Sequence, residues 1–216
     1  MAETLFERRA LAEEHYRRGL ELKKNGNRQE AVLAFRQSLE DDPAFFDPLL
    51  ELLVEQEETG EAKDLRTEEV LRRADQKYKL GIALLKHSRP EKALRHLKSA
   101  CEFENTNAKY HCGYAEALLA AGRQDDAREI LRYAAEAHGG SNPRLYRARA
   151  NVLMAEIHLD SGHRSRARRR LLAAFAQDPA NPEIMPLLKR SRLGLFQRLF
   201  VLPRLQKKAE SRKSNA

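Results

Sequence analysis

The chain has 216 residues, of which 33% are charged and 42% hydrophobic, with no tryptophan, two cysteines and a formal net charge of +8. Two sulfurs are too few for a disulfide framework, and no stretch approaches the roughly 20 apolar residues that cross a bilayer. Aromatics amount to only 6%, so a folded core has to come mostly from Leu and Ala, which lose little side-chain freedom in helices.

Residues 1–9 are acidic and then basic, with no apolar run behind them. A secretory signal has the opposite layout, so the expected location is cytoplasmic, at most peripheral on a membrane. From Ala12 a helix carrying Gly19 is predicted to stop at Gly26. A second helix, with Ala31, Phe35 and Ser38, is closed by Pro43, and the pair spans 12–45. Residues 46–73 depart from this pattern. A helix over 48–58 ends at Gly60, but Leu65 and Glu69 then stand where the alanine and the bulky apolar residue belong. With little to interrupt it, the next helix is expected to run unbroken from about residue 61 to 86.

Three further pairs follow. The unit over 74–107 carries Gly81, Ala93, Leu97 and Ala100, with Ser88-Arg89-Pro90 at its turn. The next, over 108–141, carries Ala115, Ala127, Leu131 and Ala134, with Gly122 at the turn and Gly139 at its close. The last, over 148–181, carries Ala155, Ala167, Leu171 and Ala174, with Gly162 at the turn and Pro179 at the end. Six extra residues near 138–143 are expected to lengthen a loop or the first turns of the following helix.

The recurrence has a steric cause. Antiparallel helices approach closely only where facing residues are small, because side-chain size sets the interaxial distance. The Phe or Leu one turn beyond the alanine fills the wedge beside that crossing. Glycine suits the turn, since a helix often ends in a left-handed residue. Each pair keeps one apolar face that only the next pair can bury.

With these positions in view, the sequence resembles the tetratricopeptide repeat family, whose period is 34 residues. The resemblance covers residues 12 to about 181 and implies an all-α fold, a right-handed superhelical solenoid of antiparallel helix hairpins. The expected organisation is a solenoid over 1–181, a basic amphipathic or capping helix over 182–204 and a flexible basic tail over 205–216. The family holds a partner segment in a concave groove lined by the first helix of each pair. In that register the groove residues are Tyr16, Leu20, Lys23, Tyr78, Ile82, Leu85, Cys112, Glu116, Leu119, Val152, Glu156 and Leu159. The Lys, Asn and Arg with which chaperone cofactors of this family grip a terminal carboxylate are not in place. Lys109 alone fits, and Gly113 stands where Arg would be wanted.

No GxxxxGK[ST], GxSxG or HExxH occurs, so the sequence lacks the parts of the common nucleotide-binding and hydrolytic sites. Cys101, His111 and Cys112 lack zinc-ligand spacing. The expectation is a non-catalytic adaptor or assembly factor without metal, cofactor or small-molecule substrate. Charge is uneven: residues 140–216 hold 17 Lys/Arg against 5 Asp/Glu, and the other 139 residues hold 23 against 27. Arg164, Arg166, Arg168, Arg169 and Arg170 form a basic patch, either a solvated face or a surface for an acidic protein, an anionic lipid or, last in rank, nucleic acid. Leu188, Leu195, Phe196, Leu199 and Phe200 fall on one helical face bordered by Lys189, Arg190, Arg192 and Arg198. That face either caps the solenoid or lies on an anionic membrane as the anchor of a peripheral scaffold.

Overall fold

Among the residues that the computed structural model describes (5–60, 72–191 and 207), every regular element is an α-helix. The chain divides into two units, Met1–His87 and Ser88–Ala216. The first holds α1 (Leu5–Lys24), α2 (Arg28–Asp41), α3 (Phe46–Thr59) and α4 (Ala74–Lys86). The second holds α5 (Pro90–Phe103), α6 (Ala108–Ala120), α7 (Gln124–Glu136), α8 (Pro143–Asp160), α9 (Arg164–Gln177) and the short α10 (Ile184–Arg190).

The predicted turns are where the helices stop. Gly26, Gly122 and Gly162 all have positive φ, between 75° and 84°. At each, the glycine N–H bonds back three residues and the next N–H bonds back five, as in Arg123 N to Leu118 O at 2.8 Å. Ser88 takes the same left-handed backbone, φ 58°, without being glycine. The unbroken helix over 61–86 is corrected. Arg73 is extended, with φ −93° and ψ 134°, and α4 begins only at Ala74. An extended residue cannot continue the i→i−4 ladder. Residues 61–71 of that expected helix lie outside the described ones.

In the first unit Gly19 is a contact residue. A methyl built there would collide with the Phe35 ring, so α1 meets α2 where glycine makes room for an aromatic ring. Ser38 is fully buried and donates from Oγ to the carbonyl of Ala12 at 2.6 Å, a second stitch between the two helices. The phenol of Tyr16 packs 5.9 Å from Phe35 and 5.2 Å from Phe45.

The second unit solves the same crossing with smaller parts. Ala115, Ala127, Leu131, Ala155, Ala167 and Leu171 are all fully buried. One cluster joins Cys112, Ala115, Leu131 and Ala134 to Leu153, Met154 and Ile157 of α8, so the third helix seals the face that α6 and α7 leave open. A second cluster joins α8 and α9 to Ile184 and Leu188 of α10 in the same way. The inserted residues lengthen the helix: α8 has 18 residues where α6 has 13. They also shape the loop before it. Gly139 donates to Thr106 O at 2.9 Å and its carbonyl accepts from Ala108 at 3.3 Å. Gly140, at φ +87°, lies so close to the Asn107 amide that a methyl would overlap it.

Candidate protein-binding site

Each unit presents its first-helix residues differently. In the first unit, Leu20 is 38% exposed on α1. Lys23 donates from Nζ to Glu51 Oε2 of α3 at 2.6 Å. The Tyr16 phenol is half-buried, and its pKa is raised first by burial and then by the carboxylates of Glu51 and Asp47. Tyr16 is therefore part of the core with its hydroxyl at an acidic edge. Tyr78, Ile82 and Leu85 of α4 are half-buried, and neighbouring Lys79 lies 4.8 Å from the Phe46 ring.

In the second unit the predicted residues separate into two sets. Cys112 and Val152 are buried, at 2% and 0% exposure, within the two apolar clusters. Cys112 Sγ donates to the Tyr146 carbonyl at 3.0 Å. Neither side chain is offered to a partner: α8 packs across Cys112, and α9 and α10 close over Val152 of α8. Leu119 and Leu159 are half-buried and lean on the clusters from outside. Glu116 and Glu156 instead join a charged network that the sequence reading missed. Arg149 donates from Nε to Glu116 at 2.9 Å and from Nη1 to Glu183 at 2.6 Å. Arg190 of α10 donates to Asp160 at 2.9 Å. The carboxyl of Glu156 is pushed up by burial, against the pull of Arg149, with Glu183 and Asp160 adding to the rise. The sequence signal for this network was faint, since Arg149 and Glu183 are 34 residues apart, one repeat period.

The cysteines and the neighbouring histidine are committed elsewhere. Both thiols are pushed up to about 12 by burial. His111 Nε2 lies 2.6 Å from the Asn105 carbonyl, and burial lowers its pKa.

The basic run on α9 also divides. Arg164, Arg166 and Arg169 are exposed, while Arg168 and Arg170 are half-buried. Arg168 donates to Ser191 O at 3.3 Å and Arg170 to Asn151 Oδ1 at 3.4 Å. Leu188, the first of the five tail residues, is 1% exposed in the second cluster. Leu195, Phe196, Leu199 and Phe200 lie outside the described residues. No helix among the described residues is long and apolar enough to cross a membrane.

Paired antiparallel helices with a small residue, an alanine and a bulky apolar at each crossing define the class: a helical-hairpin repeat protein. Residues 84–152 match the tetratricopeptide repeat family model. Solved structures share the fold at low identity. PilF of Pseudomonas aeruginosa is 16% identical with a TM-score of 0.52, covering 94% of this chain and 78% of that one. YrrB, described as a TPR protein with an unusual peptide-binding site, is 22% identical with a TM-score of 0.51, covering 81% and 90%. The TPR2AB-domain:pHSP90 complex of yeast Sti1 is 18% identical with a TM-score of 0.50, covering 86% and 71%. No curated protein matches the sequence.

Proposed function

We propose that the chain is a non-catalytic adaptor or assembly factor that holds a segment of a partner protein against its first-helix faces. The observation that carries the reading is the asymmetry of α8. The side packed on α7 and α9 is closed by alanine and leucine, whereas Arg149, Glu156 and Leu159 remain at least partly exposed. A surface of half-exposed leucines beside charged groups held in place by ion pairs suits a peptide with mixed apolar and polar side chains. The peptide-binding site named for YrrB and the pHSP90 complex of Sti1 support the reading.

Recognition of a terminal carboxylate is not part of the proposal. Gly113 offers no side chain at the clamp position, and Lys109 holds its ammonium 5.8 Å from the Tyr110 ring. A capping role for α10 is supported by the burial of Ile184 and Leu188.

The test is affinity capture from native extract with the full chain and with two variants. Tyr78→Glu combined with Ile82→Glu should lose the captured protein while helicity is kept. A chain ending at Ser191, which retains α10, should keep it. Retention by the double variant would overturn the proposed surface, and loss in the shortened chain would move recognition to residues 192–216.

A further inference from the structure

The far side of α8 carries a second surface. Arg147, Asn151 and His158 recur at 3.6-residue spacing and lie about half a turn from Arg149 and Glu156. They line the strip of α8 between α7 and α9, a shallow channel with Arg147 and His158 half-exposed along it and Asn151 buried beneath. A hydrogen-bond chain crosses it: Arg170 of α9 donates to Asn151 Oδ1 at 3.4 Å, Asn151 Nδ2 donates to the Arg147 carbonyl at 2.9 Å, and Arg147 Nε donates to the carbonyl of Ala135 on α7 at 2.9 Å. At one end, the rings of His158 and His163 are 6.3 Å apart.

The walls are lined by guanidinium groups. Arg128 and Arg132 stand one turn apart on α7, and Arg166 and Arg170 one turn apart on α9. His158 is depressed first by burial and then by Arg128, Arg166 and Arg170. Arg170 is depressed by burial and by Arg169 and Arg132, with Glu136 opposing. Glu136 opposes the depression of Arg170, and Asp125 takes Arg128 Nη1 at 2.7 Å. The Nε atoms of Arg128 and Arg170 are buried and meet no acceptor among the described residues. Four arginines, Arg128, Arg132, Arg166 and Arg170, thus crowd one strip of α8, an arrangement that an anionic guest would relieve.

We propose that this channel takes an extended acidic segment of a partner protein, with Asp or Glu at every second residue. The spacing selects the guest. Residues i and i+4 of a helix are separated by about 6 Å along its axis. Alternate side chains of an extended peptide recur at about 6.6 Å. Successive carboxylates therefore meet successive arginines, each able to take them two-pronged. A nucleic acid strand would want exposed aromatic rings to stack its bases. The exposed aromatic of α7, Tyr133, instead packs edge-on against His111 at 4.7 Å. The site is separate from the proposed first-helix surface and does not depend on it.

The test uses the full chain and a short fluorescent peptide of alternating glutamate and serine, followed by anisotropy. The peptide should bind at low salt and lose affinity steeply as salt rises. Its glutamine–serine counterpart should not bind. Arg166→Glu and, separately, Arg132→Gln should each weaken binding by about tenfold or more. Arg166 lies in the first turn of α9, where a carboxylate favours the helix, so its loss of binding cannot be laid to unfolding. The Tyr78→Glu/Ile82→Glu variant should bind the peptide unchanged, which keeps this test apart from that of the first-helix surface. Equal binding of the glutamine peptide, unaltered binding by both arginine variants, or a preference for single-stranded oligonucleotide or phosphatidylserine vesicles over the peptide would each overturn the proposal.

Discussion

The two units meet the same steric requirement with different volumes. Where α1 meets α2, glycine faces an aromatic ring, and Phe35, Phe45 and Tyr16 fill the space around it. Where α6 meets α7, and again where α8 meets α9, the small partner is alanine and the wedge is filled by Leu131 or Leu171. A methyl gained on one helix is matched by a ring lost from the other. Across these three crossings what recurs is total volume, not residue type, as close packing of interiors demands.

The largest expected effect comes from emptying the leucine solution. Leu131→Ala or Leu171→Ala leaves a cavity among residues that cannot collapse onto it, and should cost about 2–5 kcal/mol in urea denaturation. A smaller loss would mean that the second unit is packed more loosely than its burial implies. Thiol chemistry follows. With both thiols held near 12 by burial, almost none is ionised at pH 8, so labelling should be at least about a hundredfold slower than in denaturant. Labelling of Cys112 at the unfolded rate would show α8 swinging away from α6.

Gly19→Ala comes next. It should cost about 1–3 kcal/mol by overpacking against Phe35. Adding Phe35→Leu should recover part of that loss, because the pair then copies the second unit. A double-mutant cycle with no coupling would break the volume argument. The smallest effect is a gain: Ser88→Gly should stabilise by about 0.5–1 kcal/mol, since serine at φ 58° bears a strain that glycine lacks.

The hairpins were legible in the sequence because their signals are steric and local. A small residue, an alanine twelve positions on and a glycine at the turn fix the phase of a helix pair wherever they occur. The break before α4 was not legible, although the repeat register begins a unit at Ala74. Arg73 adopts an extended backbone without proline or glycine to announce it. Cys112 and Val152 were placed on an open face by repeat register. The added turns of α8, which no regular repeat has, lay Tyr146 over the first, and α10 helps to close the second. The arginine channel was hidden for a different reason. Arg128 and Arg132 lie in a stretch of the chain where acids outnumber bases, so a segment-by-segment charge count discards them. Only the packing of α7 and α9 on either side of α8 brings Arg128, Arg166 and Arg170 around His158.

The pairing of Asn107 with Gly139 has a mechanical consequence. Both belong to loops that follow the second helix of a hairpin, so the bridge between them fastens two successive loops along a single margin. Helices stacked only through apolar side chains can shear and twist past one another in small steps. Fastened at one margin, they can open only at the other, as pages do from a spine. The bridge ties the entry to α6 to the exit from α7, so parting these helices at that end requires breaking the Gly139–Thr106 and Ala108–Gly139 hydrogen bonds.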